Sequence, residues 1–120
     1  MSGKSRRTFR FKGRQDVAGT LRHGRRAKID LGRVVWTRAR SSADARVLFV
    51  VPKTVSKKST VRNRMRRQMT EAFRRQWRRE PLPITAVVYI DPAVLRLSDR
   101  ARNVAALELS RQLEHFLRRP

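Results

Sequence analysis

Apolar residues recur along this chain in two distinct periods. Over residues 14–22 they follow a helical spacing, with Val17, Ala18 and Leu21 on one side. Gly24 just beyond suits a left-handed stop for that helix. Two strand-like runs follow. The first centres on Val34, Val35 and Trp36; the second, Val47 to Val51, is continuously apolar, as expected of a strand buried on both faces. Ser41-Ser42-Ala43-Asp44 between them reads as a hairpin loop. Ala27 to Ile29 either adds a short strand or extends the first run.

Pro52 stops the second run, because it cannot donate to a strand ladder. A polar loop then leads into a long helix over about residues 59–77, with Ser59 or Thr60 as N-cap. Val61, Met65, Met69, Ala72 and Phe73 make one apolar stripe at helical period. Glu80-Pro81-Leu82-Pro83 breaks that helix, Ile84 to Ile90 forms another buried strand, and Asp91-Pro92 turns the chain. A last helix spans roughly 98–117 and turns Ala105, Leu109, Leu113, Phe116 and Leu117 inward. The order is α-β-β-β-α-β-α. A strand, a crossover helix and a strand between Val47 and Ile90 imply a parallel pair inside a mixed sheet. The class is therefore α+β, a small mixed four-stranded sheet with helices packed on it. The expected core includes Val47, Phe49, Val51, Met65, Phe73, Val87, Tyr89, Leu109, Leu113 and Phe116.

Length and composition bound the rest. A chain of 120 residues fits one domain, here 9–120, preceded by a basic tail over 1–8 with almost no apolar content and an expectation of disorder. Cysteine is absent, which removes disulfides and thiolate metal sites and fits a reducing, cytoplasmic setting. No apolar run approaches the ~20 residues of a spanning helix, and residues 1–10 lack the apolar core of a secretion signal. Charge changes the picture most. Twenty-five Arg and six Lys stand against nine acids, a net charge of +22. Self-repulsion on that scale destabilises a compact state until a polyanion neutralises it, and nucleic acid is the obvious one.

The charge is concentrated. Residues 57–79 hold ten cations and a single acid, Glu71. Since the apolar stripe of this helix faces the core, the remaining arc presents the arginines, with Asn63, Arg67, Arg74 and Arg78 opposite the stripe and Arg62 and Arg66 at its border. A one-sided guanidinium array offers bidentate phosphate contacts and stacking on exposed bases. A merely solvated face ordinarily mixes signs, and this one hardly does.

The stretch Val50-Val51-Pro52-Lys53-Thr54-Val55-Ser56-Lys57-Lys58-Ser59-Thr60-Val61-Arg62-Asn63-Arg64-Met65-Arg66-Arg67, followed by Glu71-Ala72-Phe73-Arg74, resembles the signature of the bacterial ribonuclease P protein family. The resemblance covers roughly residues 10–118 and is strongest over 47–75. It implies a compact α+β sandwich whose parallel strands are joined by a left-handed crossover, against the usual hand. It implies that the Arg-Asn-Arg helix docks on a catalytic RNA subunit, giving that role to Arg62, Asn63, Arg64, Arg66, Arg67, Lys57 and Lys58. It implies a cleft between the first helix and the sheet for the single-stranded 5′ leader of precursor tRNA, with Val17 and Leu21 at the matching positions; Arg14, Arg22 and Lys53 are then candidate phosphate contacts and Trp36 the candidate stacking platform from the sheet. It implies that Mg²⁺ ions, held mainly by the RNA, and the RNA itself carry the hydrolysis, with no protein partner required. The chain departs from the family where two phenylalanines usually line the cleft: Val17 and Leu21 stand there, so the first helix supplies no stacking ring. Phe9 and Phe11 lie just upstream, and Trp36 stands near the family's strand aromatic, offset by one residue.

A protein-borne nuclease site is not visible in the chain. The nine acids form no close pair or metal-binding motif, and His23 and His115 lie far apart, each at a helix end where an imidazolium meets favourable carbonyls. Two other classes share the charge: a structural ribosomal-type RNA-binding protein without a processing role, and an architectural DNA binder. The latter would need a groove-reading helix of mixed polar residues, whereas this outer face is almost all arginine.

Overall fold

The computed structural model describes residues 14–41 and 45–118, with side chains from residue 17 onward. The tail at 1–8, Phe9 and Phe11, and the side chain of Arg14 lie outside the described residues. The elements are α1 (Arg14–His23), β1 (Arg25–Ile29), β2 (Gly32–Arg38), β3 (Arg46–Val50), α2 (Ser59–Arg79), β4 (Ile84–Ile90), a short 3-10 turn (Pro92–Arg96) and α3 (Asp99–Arg118).

One sheet holds all four strands in the order β1-β2-β4-β3. β2 lies antiparallel to both β1 and β4, while β3 and β4 run parallel. Two expectations are corrected by this order. β2 and β3 are not hairpin partners, because β4 stands between them, and most of the expected loop at 41–44 lies outside the described residues; the hairpin is β1–β2, turning at Asp30-Leu31. Nor is β3 buried on both faces. It is an edge strand whose alternate residues Leu48 and Val50 are only half-buried. The central place goes to β4, whose Ile84, Ala86, Val87, Val88 and Ile90 are all buried and so gain most from neighbours on both sides.

The sheet's two faces are unequal. Val34 and Trp36 of β2, Val47 and Phe49 of β3, and the even-numbered residues of β4 face α2 and α3 and form the main core. Met65, Met69, Ala72, Phe73 and Trp77 bury one stripe of α2 there, with Phe73 edge-on to Phe49 at 5.8 Å. From α3 come Ala106, Leu109, Leu113 and Leu117. The opposite face buries Val35 and Val87 under α1, which packs on β2 and β4. Of the expected core, Val51 and Phe116 sit at its edge half-exposed, and Tyr89 lies on the α1 face, half-buried, one residue out of phase with the main core.

The ends of the elements also differ from expectation. Lys58, not Ser59 or Thr60, occupies the N-cap of α2, with no side-chain cap. Gly24 is not left-handed: its N–H donates to Thr20 O at 2.8 Å as in an ordinary helix turn. Space explains the residue, since a Cβ there would stand 2.7 Å from Val35 Cγ1 and 2.5 Å from Thr20 O. Gly32, in contrast, has φ +147° where β2 meets β4, and a Cβ would stand 2.2 Å from Tyr89 O. Arg102 locks the last helix down, donating to the carbonyls of Val94 (3.2 Å) and Leu95 (2.9 Å).

Gly32→Ala combines a forbidden dihedral with a main-chain clash at the end of the two central strands. Its stability should fall by at least about 1–3 kcal/mol, while Gly19→Ala, with open space around its Cβ, should be neutral or stabilising; denaturant unfolding of the two variants checks the contrast.

Candidate nucleic-acid interface

The loop from Pro52 to Lys58 aims the start of α2. It turns through a Val55 N–H to Pro52 O bond of 2.9 Å, and Val55 is buried, which anchors the loop on the core. Arg62, one turn into the helix, folds back, and its Nη1 donates to both Ser56 O and Lys57 O at 2.9 Å. The guanidinium thus fastens the two residues that precede the N-cap, and Lys57 and Lys58 are held beside the helix start with their side chains exposed. The first turn contains no acid and no side-chain cap. Main-chain N–H groups, the positive end of the helix dipole and a group of cations therefore coincide there, an arrangement that attracts phosphate.

Beyond that turn, Asn63, Arg64, Arg66, Arg67, Arg75, Arg78 and Arg79 are exposed. Among the described residues the ion pairs are local ones within helices, and the one on α2 is Glu71 with Arg74 at 4.0 Å. Such pairs contribute little, so the face keeps its charge. Where α2 passes the outer edge of β3, a groove of about 680 Å³ opens between them. Val47, Leu48 and Phe49 line it from the strand; Arg66, Arg67 and Arg74, with Thr70 and Glu71, line it from the helix.

The family model for ribonuclease P matches residues 6–119. The chain belongs to the ribonuclease P protein family.

No curated protein matches the sequence significantly. The fold is similar to that of the RNase P protein from Thermotoga maritima, with a TM-score of 0.69 at 22% identity over 83% of this chain and 93% of that one. It is likewise similar to the Staphylococcus aureus RNase P protein, with a TM-score of 0.62 at 15% identity over 92% of this chain and 93% of that one. No helix among the described residues is long and apolar enough to cross a membrane. No three His, Cys, Asp or Glu among the described residues stand together as a metal-ligand set.

The residues expected to dock RNA fall into two kinds. Lys57, Lys58, Asn63, Arg64, Arg66 and Arg67 are exposed along the start and outer arc of α2, whereas Arg62 is partly buried and spends its Nη1 on the loop carbonyls. The residues expected at the leader do not all meet. Val17 and Leu21 are half-buried on α1, Arg22 is exposed in its last turn, and Lys53 is exposed in the loop after β3. Trp36 must be set apart from them. It is only 5% exposed, faces α3 rather than α1, and lies parallel to the Phe116 ring at 6.0 Å. The reason is strand alternation: Val35 points to α1, so Trp36 cannot. It offers no platform to a base in a cleft beside α1.

The aromatic on that side is Tyr89, half-buried on β4, with the Arg33 guanidinium 5.9 Å from its ring centre. Arg26 and Lys28 of β1 lie exposed on the same face, so the α1 side of the sheet is basic as well. Its register with Arg33 places Tyr89 on this face; residue type alone carries no signal for it.

Arg62 should behave as a positioning residue. Arg62→Ala removes charged hydrogen bonds of about 1.5–3 kcal/mol each at most, so thermal unfolding should come earlier. Arg62→Lys, which keeps the charge but not the fork, should lose nearly as much RNA affinity as Arg62→Ala; full affinity in the lysine variant would show that charge alone matters there.

Proposed function

We propose that this chain is the protein subunit of ribonuclease P, which binds a catalytic RNA through α2 and supports endonucleolytic removal of the 5′ leader from precursor tRNA. The observation that carries the reading is the arginine face of α2, eight arginines against the single carboxylate of Glu71, in a chain of this family. A compact cation array on a rigid helix positions phosphates without reading sequence, as a partner of a folded RNA requires. The RNA with its Mg²⁺ supplies the hydrolytic chemistry, and the protein supplies binding and orientation. A cytoplasmic ribonucleoprotein follows from this role.

On the opposite face, the substrate's leader lies between α1 and the sheet. Charge from Arg22, Arg33, Arg26 and Lys28 holds its phosphates, with Lys53 and Arg14 as further contacts, and Tyr89 supplies the ring that α1 lacks. Val17 and Leu21 give apolar contact only. Removing one stacking ring costs roughly 1–3 kcal/mol per base.

The test is reconstitution. The purified chain alone should not cut precursor tRNA, and with a catalytic RNA and Mg²⁺ it should restore cleavage at the mature 5′ end; cleavage that follows the protein through purification without RNA would overturn the reading. Arg64→Ala should weaken RNA-subunit binding and lower the salt slope by about 0.7–0.9 for each phosphate it no longer neutralises, with Arg78→Ala costing less. Equal losses would mean a diffuse patch rather than a docking site. For the leader, Tyr89→Ala should lower affinity for precursor tRNA but leave affinity for leaderless tRNA unchanged, and Val17→Phe should raise only the former. The measurement is holoenzyme binding to the two substrates across salt.

A further inference from the structure

The groove between β3 and α2 has features that phosphate binding alone does not require. β3 pairs only with β4, so along its outer edge alternate main-chain N–H and C=O groups have no strand partner. Val47 and Phe49 turn their apolar side chains towards α2, while Leu48, in register with Val87, turns its own to the other face and meets the groove at the strand's edge. The opposite wall places Arg66, Thr70 and Arg74 at successive i, i+4 positions on α2, with Arg67 and Glu71 beside them. Glu71 is the one carboxylate within residues 57–79, and it lies in this groove. A carboxylate repels phosphate; beside an apolar edge it accepts hydrogen bonds from N–H donors. At about 680 Å³ the groove has the size of a small-molecule pocket.

We propose that this groove takes one unpaired nucleotide of the docked RNA, base inward against the edge of β3, with its flanking phosphates on Arg66 and Arg67 and an exocyclic amino group donating to Glu71. The inference rests on the reading of α2 as the RNA-docking helix and adds a base-specific subsite to it. Continuity favours RNA over an acidic peptide strand as the occupant, since Arg66 and Arg67 belong at once to the groove and to the exposed outer arc of α2. The carboxylate points the same way: Glu71 opposes an acidic strand but suits an amino-bearing base, adenine, cytosine or guanine, and disfavours uracil, which presents a carbonyl at the corresponding edge.

Cytosine and uracil share a ring size and differ where Glu71 would read them, so oligocytidylate and oligouridylate of equal length are the probes. Isotope-labelled full-length protein is titrated with each, following the main-chain amides of Val47, Leu48 and Phe49 by NMR and affinity by fluorescence anisotropy. Oligocytidylate should shift these amides and bind roughly tenfold more tightly than oligouridylate, the effect of one charge-assisted hydrogen bond. In Glu71→Gln the ratio should fall towards one while both oligomers still bind. Equal affinities in the unaltered protein, with Glu71→Gln strengthening both alike, would reduce the groove to a phosphate cradle and overturn the proposal. So would oligoglutamate shifting these amides where oligocytidylate does not, which assigns the edge to an acidic strand. Binding of the catalytic RNA by the same preparation separates the two levels. If that RNA binds and the groove amides do not respond to oligocytidylate, only the subsite is wrong. If the RNA does not bind at all, the docking reading fails and the subsite falls with it.

Discussion

Everything distinctive in this molecule follows from a single packing constraint on α2. A helix that is more than one-third arginine can join a folded protein only by burying the few apolar residues it has, and these form one stripe from Met65 to Trp77. Once that stripe is seated on β3 and α3, the helix's rotation is fixed and nearly every cation is turned to solvent on one arc. The chain cannot neutralise them: its acids are few, and those paired among the described residues serve arginines on their own helices. Core formation and the creation of a one-sided cationic surface are thus one event. The energetic conflict is between apolar burial, worth about 25 cal/mol per Å², and like-charge repulsion that only a partner or salt relieves.

The loop before α2 shows how local structure refines that surface. Arg62 bonds back to Ser56 and Lys57 and so fastens the residues before the N-cap at the start of α2, whose first turn has no side-chain cap. One arginine in the basic run is therefore spent on geometry so that its neighbours can act on a ligand. The edge position of β3 acts similarly at the other side of the helix. Had β3 been covered by another strand, α2 would border no groove.

Helical period makes α2, its stripe and its charged arc legible in the sequence, because an amphipathic pattern over five turns has one solution. The membership of β1 to β4 is legible too, but not their order. Apolar runs reveal that a strand is buried, not which neighbour covers it, and Val47 to Val51 and Ile84 to Ile90 look alike until β4 takes the centre. Phase is the other blind spot. In Val34-Val35-Trp36 and Val87-Val88-Tyr89 all residues are large and apolar or aromatic, so the alternation of polar and apolar that normally marks a face is missing. The pattern consequently leaves Tyr89 in the expected core, although it stands half-buried on the α1 face, and it does not tell that Trp36, a cleft residue by the family resemblance, turns to α3. The clamp made by Arg62 is hidden for a different reason: within a run of exposed arginines, nothing in residue type marks the one that turns back to the main chain.

The salt dependence of the free protein's own stability tests the central claim most directly, because it requires no ligand. If the cations on α2 are left unneutralised within the fold, raising chloride concentration from low ionic strength should screen their repulsion and raise the thermal unfolding midpoint, most steeply while the Debye length shrinks from about 30 Å towards 10 Å. A midpoint that stays level or falls over that range would mean that internal ion pairs already balance the charge, and would contradict the account.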